Sequence, residues 1–323
     1  ATTHIGVAAT LSTTYGHPFP VARTFATLAH LTGGRAAWNV VSSSNPADAA
    51  NYGLEAVMGH DERYDRADEF VDVCRQLWSS WEPDSVVMDR ETRVYADPSK
   101  VHRIDYEGKY FKSMGPLGVA PIPTGDPVVV AAGQSDRGIE FCARHAEAVF
   151  GIQFNTAAMK RQREKLHAAL AAHGRDAESV PIMWGVFPIV GETEEAAKAK
   201  HRMIQEIVPP EGGLALMASH FGIDPSKFPL DAPLESVETN AGSKGLLDTL
   251  AKNYGRTVTV GEAGQIYGCG ISPHIVGTAA QVADQLEAMH REVGGDGFLL
   301  MTHYLPGSLD EFVELVVPEL QRR

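Results

Sequence analysis

"PVVVAAGQSDRGIEFCARHAEAVFGIQ" spans residues 127–153, and its reading decides the fold. The run 127–133 is apolar without polar alternation. That predicts a strand covered on both faces, as strands of parallel sheets are. Asp136 to Ala146 carry a helical pattern, and 147–153 return to an apolar, β-prone run. Strand, helix and strand with short joints make a parallel crossover unit.

The same alternation extends both ways. Downstream, the spacing predicts a helix over 157–174 closed by Gly174, a strand over 181–191 and a helix over 193–208 capped by Thr193. Further on come a helix over 278–295 capped by Thr278, a strand over 297–304 and a helix over 308–321 that Pro318 kinks or ends. Upstream, a strand is predicted over 4–13, a helix over 20–34 stopped by Gly33 and Gly34, and a strand over 35–41. A helix over 62–81 has Tyr64, Ala67, Phe70, Val71 and Cys74 on one face, and a small hairpin turns at Glu107-Gly108.

Six strands in such a series close as an eight-stranded barrel or open as a doubly wound sheet. No Gly-rich dinucleotide fingerprint follows the first strand, which favours the barrel. A TIM (β/α)8 barrel needs two more units. The abrupt apolar start, without Met, leads to the expectation of a single barrel domain over 1–323 that lacks its first two βα units. Residues 209–262 show weak periodicity and are expected to be a lid-like insertion.

Composition narrows the function classes. A formal charge of -13 opposes nucleic-acid binding, which needs a basic stripe. No segment approaches the roughly 20 apolar residues that cross a bilayer, and no signal-peptide pattern opens the chain. Cys74, Cys142 and Cys269 are odd in number and far apart, as in a cytoplasmic protein with reduced, packed thiols. No metal-ligand spacing and no G-x-S-x-G occurs.

In a barrel, chemistry sits at the C-terminal ends of the strands. Asn39 in "WNVV" is an amide in a buried strand and must find a partner. Thr10 stands where the first run turns polar, although a β-branched residue is at home in any strand. In "AGQSDRG", Gly133 permits unusual backbone and Ser135 opens a helix, where an anion is favoured; an ordinary N-cap serine fits the same pattern. His60 and Tyr64 are four apart and share a helix face, although Tyr64 also fits the apolar stripe.

Together, "HIGVAATLSTTYGHPFPVARTFATLAHLTGGRAAWNVVSSSNPADAANYG", "HDERYDRADEFVDVCRQLWSSWE" and "HRIDYEGKYFKSMGPLGVAPIPTGDPVVVAAGQSDRG" resemble the nitrilotriacetate and dibenzothiophene-sulfone monooxygenase group of bacterial-luciferase-like flavin monooxygenases. The resemblance implies a luciferase-like TIM barrel that begins here at its third strand. It implies reduced FMN (FMNH2) as cofactor, a separate NAD(P)H-dependent flavin reductase, O2, a small organic substrate and a homo-oligomer, dimer or tetramer. Carried over residue by residue, Thr10 and Asn39 face the flavin ring, and His60 and Tyr64 reach toward ribityl and phosphate. Ser135 holds the phosphate, with Gly133 and Gln134 shaping its loop. The resemblance assigns no catalytic residue. A flavin-binding protein without oxygenase activity shares these motifs, and an F420-dependent barrel dehydrogenase belongs to a neighbouring branch.

Overall fold

The computed structural model describes residues 2–221, 224, 227–237 and 257–323. The chain divides into two compact units, 1–149 with 172–175 and 150–171 with 176–323.

The first unit runs β1 (Val7–Ser12), α1 (Pro18–Thr32), β2 (Ala36–Val41), α2 (Pro46–Asn51) and α3 (His60–Trp78). Two small hairpins follow: β3 (Val86–Asp89) with β4 (Val94–Ala96), and β5 (Tyr106–Glu107) with β6 (Lys112–Ser113). Then come β7 (Val128–Ala131), α4 (Asp136–His145) and β8 (Ala148–Gly151). Strands β1, β2, β7 and β8 pair in that order, all parallel, with Thr10 opposite Asn39, Asn39 opposite Val130 and Val130 opposite Ala148.

Trp38 anchors this unit. It is fully buried, between Phe25 of α1 and Phe70 of α3, with ring centroids 5.6 and 5.7 Å away. Its indole N–H donates to the Leu11 carbonyl at 3.2 Å, so the ring is buried without a stranded donor. The α3 stripe buries Ala67, Phe70, Val71, Cys74, Leu77 and Trp78. Full burial of one large apolar side chain is worth roughly 1.5–3 kcal/mol, so this stripe outweighs any propensity term in fixing α3. Gly33 ends α1 with φ +63, and its N–H returns to the Ala29 carbonyl.

An ionic clamp joins α3 to α4. Asp68 accepts from His145 Nε2 at 2.8 Å and from Arg137 Nη2, and Arg144 pairs with Asp72 at 2.6 Å. Arg75 donates to His145 Nδ1 at 3.2 Å and to its carbonyl oxygen at 2.8 Å, leaving the buried imidazole fully partnered. Burial opposes the Asp68 charge. The hydrogen bonds from His145 and Arg137 overcome that and hold the carboxyl below its ordinary range.

The second unit runs α5 (Thr156–Ala172, its last residue counted with the first unit), β9 (Ile182–Val190), α6 (Glu194–Ile207), α7 (Pro210–Phe221), α8 (Val260–Cys269), β10 (His274–Gly277), α9 (Ala279–Val293) and β11 (Gly297–Leu300). The nine-residue β9 is parallel to two strands in turn. Its first half pairs with β11 and its second half with β10. Thr193 and Thr278 cap α6 and α9 as expected. The C-terminal helix is in three pieces: α10 (Gly307–Glu311), a π-helical turn at Phe312–Val316, and α11 (Val317–Arg322). Pro318 has no N–H to return to Glu314, and the widened turn sits just before it.

Several elements escape the sequence pattern. Strand β10 and the hairpin β3–β4 are too short to show a period. The polar cluster after β2 contains a helix start, because Asn45 caps α2 by accepting from Ala47 N. The predicted final strand stops at Leu300. Within 209–262, α7 packs on α8 around Leu214, Met217, Leu234, Val258, Val260 and Ala263. Gly213 and Gly264 allow the two helices to touch: a Cβ on Gly213 would lie 1.7 Å from the Gly264 carbonyl oxygen. Residues 222–223, 225–226 and 238–256 of the lid-like segment lie outside the described residues.

Three histidines gather in this unit. The Cys269 carbonyl accepts from His274 Nε2 at 3.0 Å and His303 Nε2 at 2.9 Å. Both rings are therefore Nε2–H tautomers, and His274 Nδ1 accepts from His201 Nε2 at 2.9 Å. Burial, then the His303 and His201 charges, push the His274 imidazole down to about 4.

Two predictions follow from these contacts. Asp68→Ala strands a buried imidazole and a guanidinium and lowers stability by about 3 kcal/mol, read from urea midpoints. In the unfolded chain His274 binds a proton near pH 6.5 that the folded ring refuses. Stability is thus full above that pH and falls as pH drops toward about 4, by up to about 3 kcal/mol from this group. Urea melts at pH 7.5 and 5 check the sign, and an undiminished slope in His274→Gln would remove His274 as its source.

Candidate flavin site

The carried-over residues lie at the C-terminal side of three adjacent parallel strands and at the start of α3, all in the first unit. Thr10 and Asn39 are register partners on β1 and β2, and Asn39 Nδ2 donates to Thr10 Oγ1 at 3.0 Å. Both lie inside their strands, two residues before the end. Thr10 is exposed. Asn39 Oδ1 is buried and has no partner among the described residues.

The second group assembles where β7 gives way to α4. Ser135 is the N-cap of α4, its Oγ accepting from Gly138 N at 3.0 Å. The same hydroxyl lies 3.2 Å from His60 Nε2, and His60 Nδ1 lies 2.6 Å from Asp61 Oδ1. A ring N–H at Nε2 can point to the Ser135 hydroxyl or to a ligand anion beside it. The Tyr64 hydroxyl is hydrogen-bonded to both Ser42 and Ser135, and burial pushes its phenol up, so it stays a neutral donor. The His60 and Tyr64 rings meet edge to face with centroids 5.2 Å apart.

Glycines make this convergence possible. Gly133 is needed for close approach, not for an unusual backbone angle, and that corrects the sequence expectation. A Cβ there would lie 2.3 Å from the Gly138 carbonyl oxygen. A Cβ on Gly138 would lie 2.7 Å from the Tyr64 hydroxyl. Gln134 lies between Gly133 and Ser135 in the loop that leads into α4.

Two kinds of ligand group fit. The hydroxyls of Ser135 and Tyr64, the His60 ring and the positive end of α4 suit a phosphate. The unpartnered Asn39 carbonyl suits a ring N–H. A flavin mononucleotide carries both, and the residues present fit it. Sequence reasoning missed Ser42 as the second partner of Tyr64. It also passed over Arg63, which stands between His60 and Tyr64 in "HDERY".

Comparison with known proteins gives the family. The luciferase-like monooxygenase family model matches residues 1–297. The chain is 40% identical over 328 residues to the dibenzothiophene-sulfone monooxygenase of Rhodococcus erythropolis, covering all of this chain and 72% of that protein. It superposes on the crystal structure of a long-chain alkane monooxygenase with TM-score 0.88 at 39% identity, over all of this chain and 70% of the other. A riboflavin lyase solved with modified FMN and riboflavin gives TM-score 0.89 at 35% identity, over 100% and 71%. The chain belongs to the luciferase-like monooxygenase family, and its α/β fold is of the luciferase-like TIM-barrel type.

Ser135→Ala removes a helix cap and, in the flavin reading, a phosphate ligand as well. It is expected to cost about 1 kcal/mol of stability. It should also weaken FMN about tenfold while leaving riboflavin unchanged. Fluorescence titration with both flavins checks this, and equal losses for the two would refute a phosphate role.

Proposed function

We propose that this chain is the oxygenating component of a two-component monooxygenase that uses reduced FMN and O2 on a small organic substrate. Membership of the monooxygenase family supports the reaction class. The observation that carries the cofactor assignment is the meeting of His60, Tyr64 and Ser135 at the α4 N-terminus, beside the Asn39 carbonyl that lacks a partner.

In this reading Ser135, Tyr64 and His60 hold the phosphate, Gly133 and Gln134 shape the loop around it, and Thr10 and Asn39 fix the ring. When bound in reduced form, the flavin supplies two electrons to O2, of which one oxygen atom enters the substrate and the other leaves as water. The protein's tasks are to orient and to exclude water. Tyr64 stays protonated at neutral pH and donates without adding negative charge near the phosphate. Ser42 and Ser135 hold its hydroxyl, so little ordering remains to be done on binding. A separate NAD(P)H-dependent flavin reductase supplies the reduced cofactor.

The test is a coupled assay with NADH, a flavin reductase and a panel of thioethers, sulfones, alkanes and aminopolycarboxylates under labelled O2. One labelled oxygen atom is expected in the product of at least one class. Tight FMN binding with all reducing equivalents recovered as hydrogen peroxide would instead favour a flavin-binding protein without oxygenase activity.

A further inference from the structure

Arg63 carries a charge that nothing in the described protein balances. It lies in the first turn of α3 and is only 8% exposed. Its Nη1 donates to the Met58 carbonyl, while its Nε is buried and has no partner. Its electrostatic neighbours are two phenols, Tyr64 and Tyr15, and no ion pair joins it to a described carboxylate. Burial lowers its pKa, but a guanidinium remains charged at neutral pH.

Tyr15 repeats the pattern. It follows β1, its ring stacks on Tyr52 with centroids 4.5 Å apart and planes 8° apart, and its hydroxyl is buried without a partner. Asp48 acts on Tyr15 and not on Arg63. A buried cation and a buried hydroxyl within electrostatic reach of each other, each with an atom unpartnered among the described residues, are expensive to keep unless a ligand completes them. Arg63 also acts on its neighbour Tyr64, whose hydroxyl is held by Ser42 and Ser135.

We propose that Arg63, with the Tyr15 hydroxyl beside it, is an oxyanion-binding position at this mouth, taking a phosphate or carboxylate group of a bound molecule. The planar fork of a guanidinium matches either group, and its desolvation strengthens the attraction. The two sources are the phosphate of the flavin and a carboxylate of the substrate. The inference rests on the flavin reading only for the first of these.

Arg63→Met keeps the stem and removes the charge; Arg63→Lys keeps the charge and loses the fork. Circular-dichroism melts establish folding. Titrations of the whole chain with FMN and riboflavin read the phosphate arm, and calorimetry with succinate and succinamide reads the carboxylate arm. Arg63→Met is expected to weaken FMN or succinate by about tenfold or more and leave the matching neutral compound within about twofold, with Arg63→Lys between. Where Arg63→Met does not fold, Arg63→Lys carries the test by the same criterion. The proposal is overturned if both anions stay within about twofold of wild type, if the neutral compounds weaken equally, or if wild-type protein binds neither anion. Wild-type protein that binds succinate but neither flavin refutes the flavin reading and leaves the proposal to the succinate arm.

Discussion

One carboxylate fixes where the proposed phosphate end of the site can be. Asp68 receives Arg137 from the first turn of α4 and His145 from its last. These residues are eight apart, about 12 Å along a helix axis, so two contacts set the position and the direction of α4 against α3. Ser135 caps α4, and His60 and Tyr64 begin α3. The 3.2 Å separation of Ser135 from His60 thus depends on a charge network between the two helices, whose Arg137 also lies over the Tyr64 ring at 5.5 Å. The imidazole is buried and the carboxylate nearly so, which makes the network costly to break and gives it only one good geometry.

What could be read from the sequence was what has a period or a stop signal. The apolar run Val128–Ala131, the stripe of α3, and the caps Thr193 and Thr278 all appear where pattern places them. Asn39 stood out because an amide in an apolar strand is locally anomalous, and its oxygen is indeed unpartnered. Strand β10 and helices α7 and α8 did not stand out, for a physical reason. Four residues cannot show alternation, and helices that cross on Gly213 and Gly264 gain stability from close approach, not from an amphipathic face. The role of Gly133 was misread for a related reason: only the folded chain shows that the carbonyl of Gly138 occupies the space of a Cβ. The partnership of Asp68 with His145 spans 77 residues and has no local signature.

The first unit treats its buried polar groups in two ways. In the clamp, His145 uses both ring nitrogens and its carbonyl oxygen, and the Trp38 N–H reaches Leu11. At the mouth, Asn39 Oδ1, Tyr15 Oη and Arg63 Nε have no protein partner. Those three are most of the five such side-chain atoms among the described residues, so the deficit is concentrated there. A folded chain tolerates such groups where a ligand completes them, and it needs surplus stability elsewhere to do so.

That division explains why the rigid part and the unsatisfied part sit side by side. If α3 could slide on α4, Tyr64 and Ser135 would find other partners, and the orphaned atoms of Tyr15 and Arg63 would find solvent. The Trp38 core and the Asp68 clamp prevent this by holding strands β1 and β2 and helices α3 and α4 in one arrangement. Polar groups that cannot relax toward each other remain available to a ligand, and their ordering is already complete before it arrives. The affinity of the mouth for an anionic, ring-bearing molecule is in this sense a property of the packing behind it.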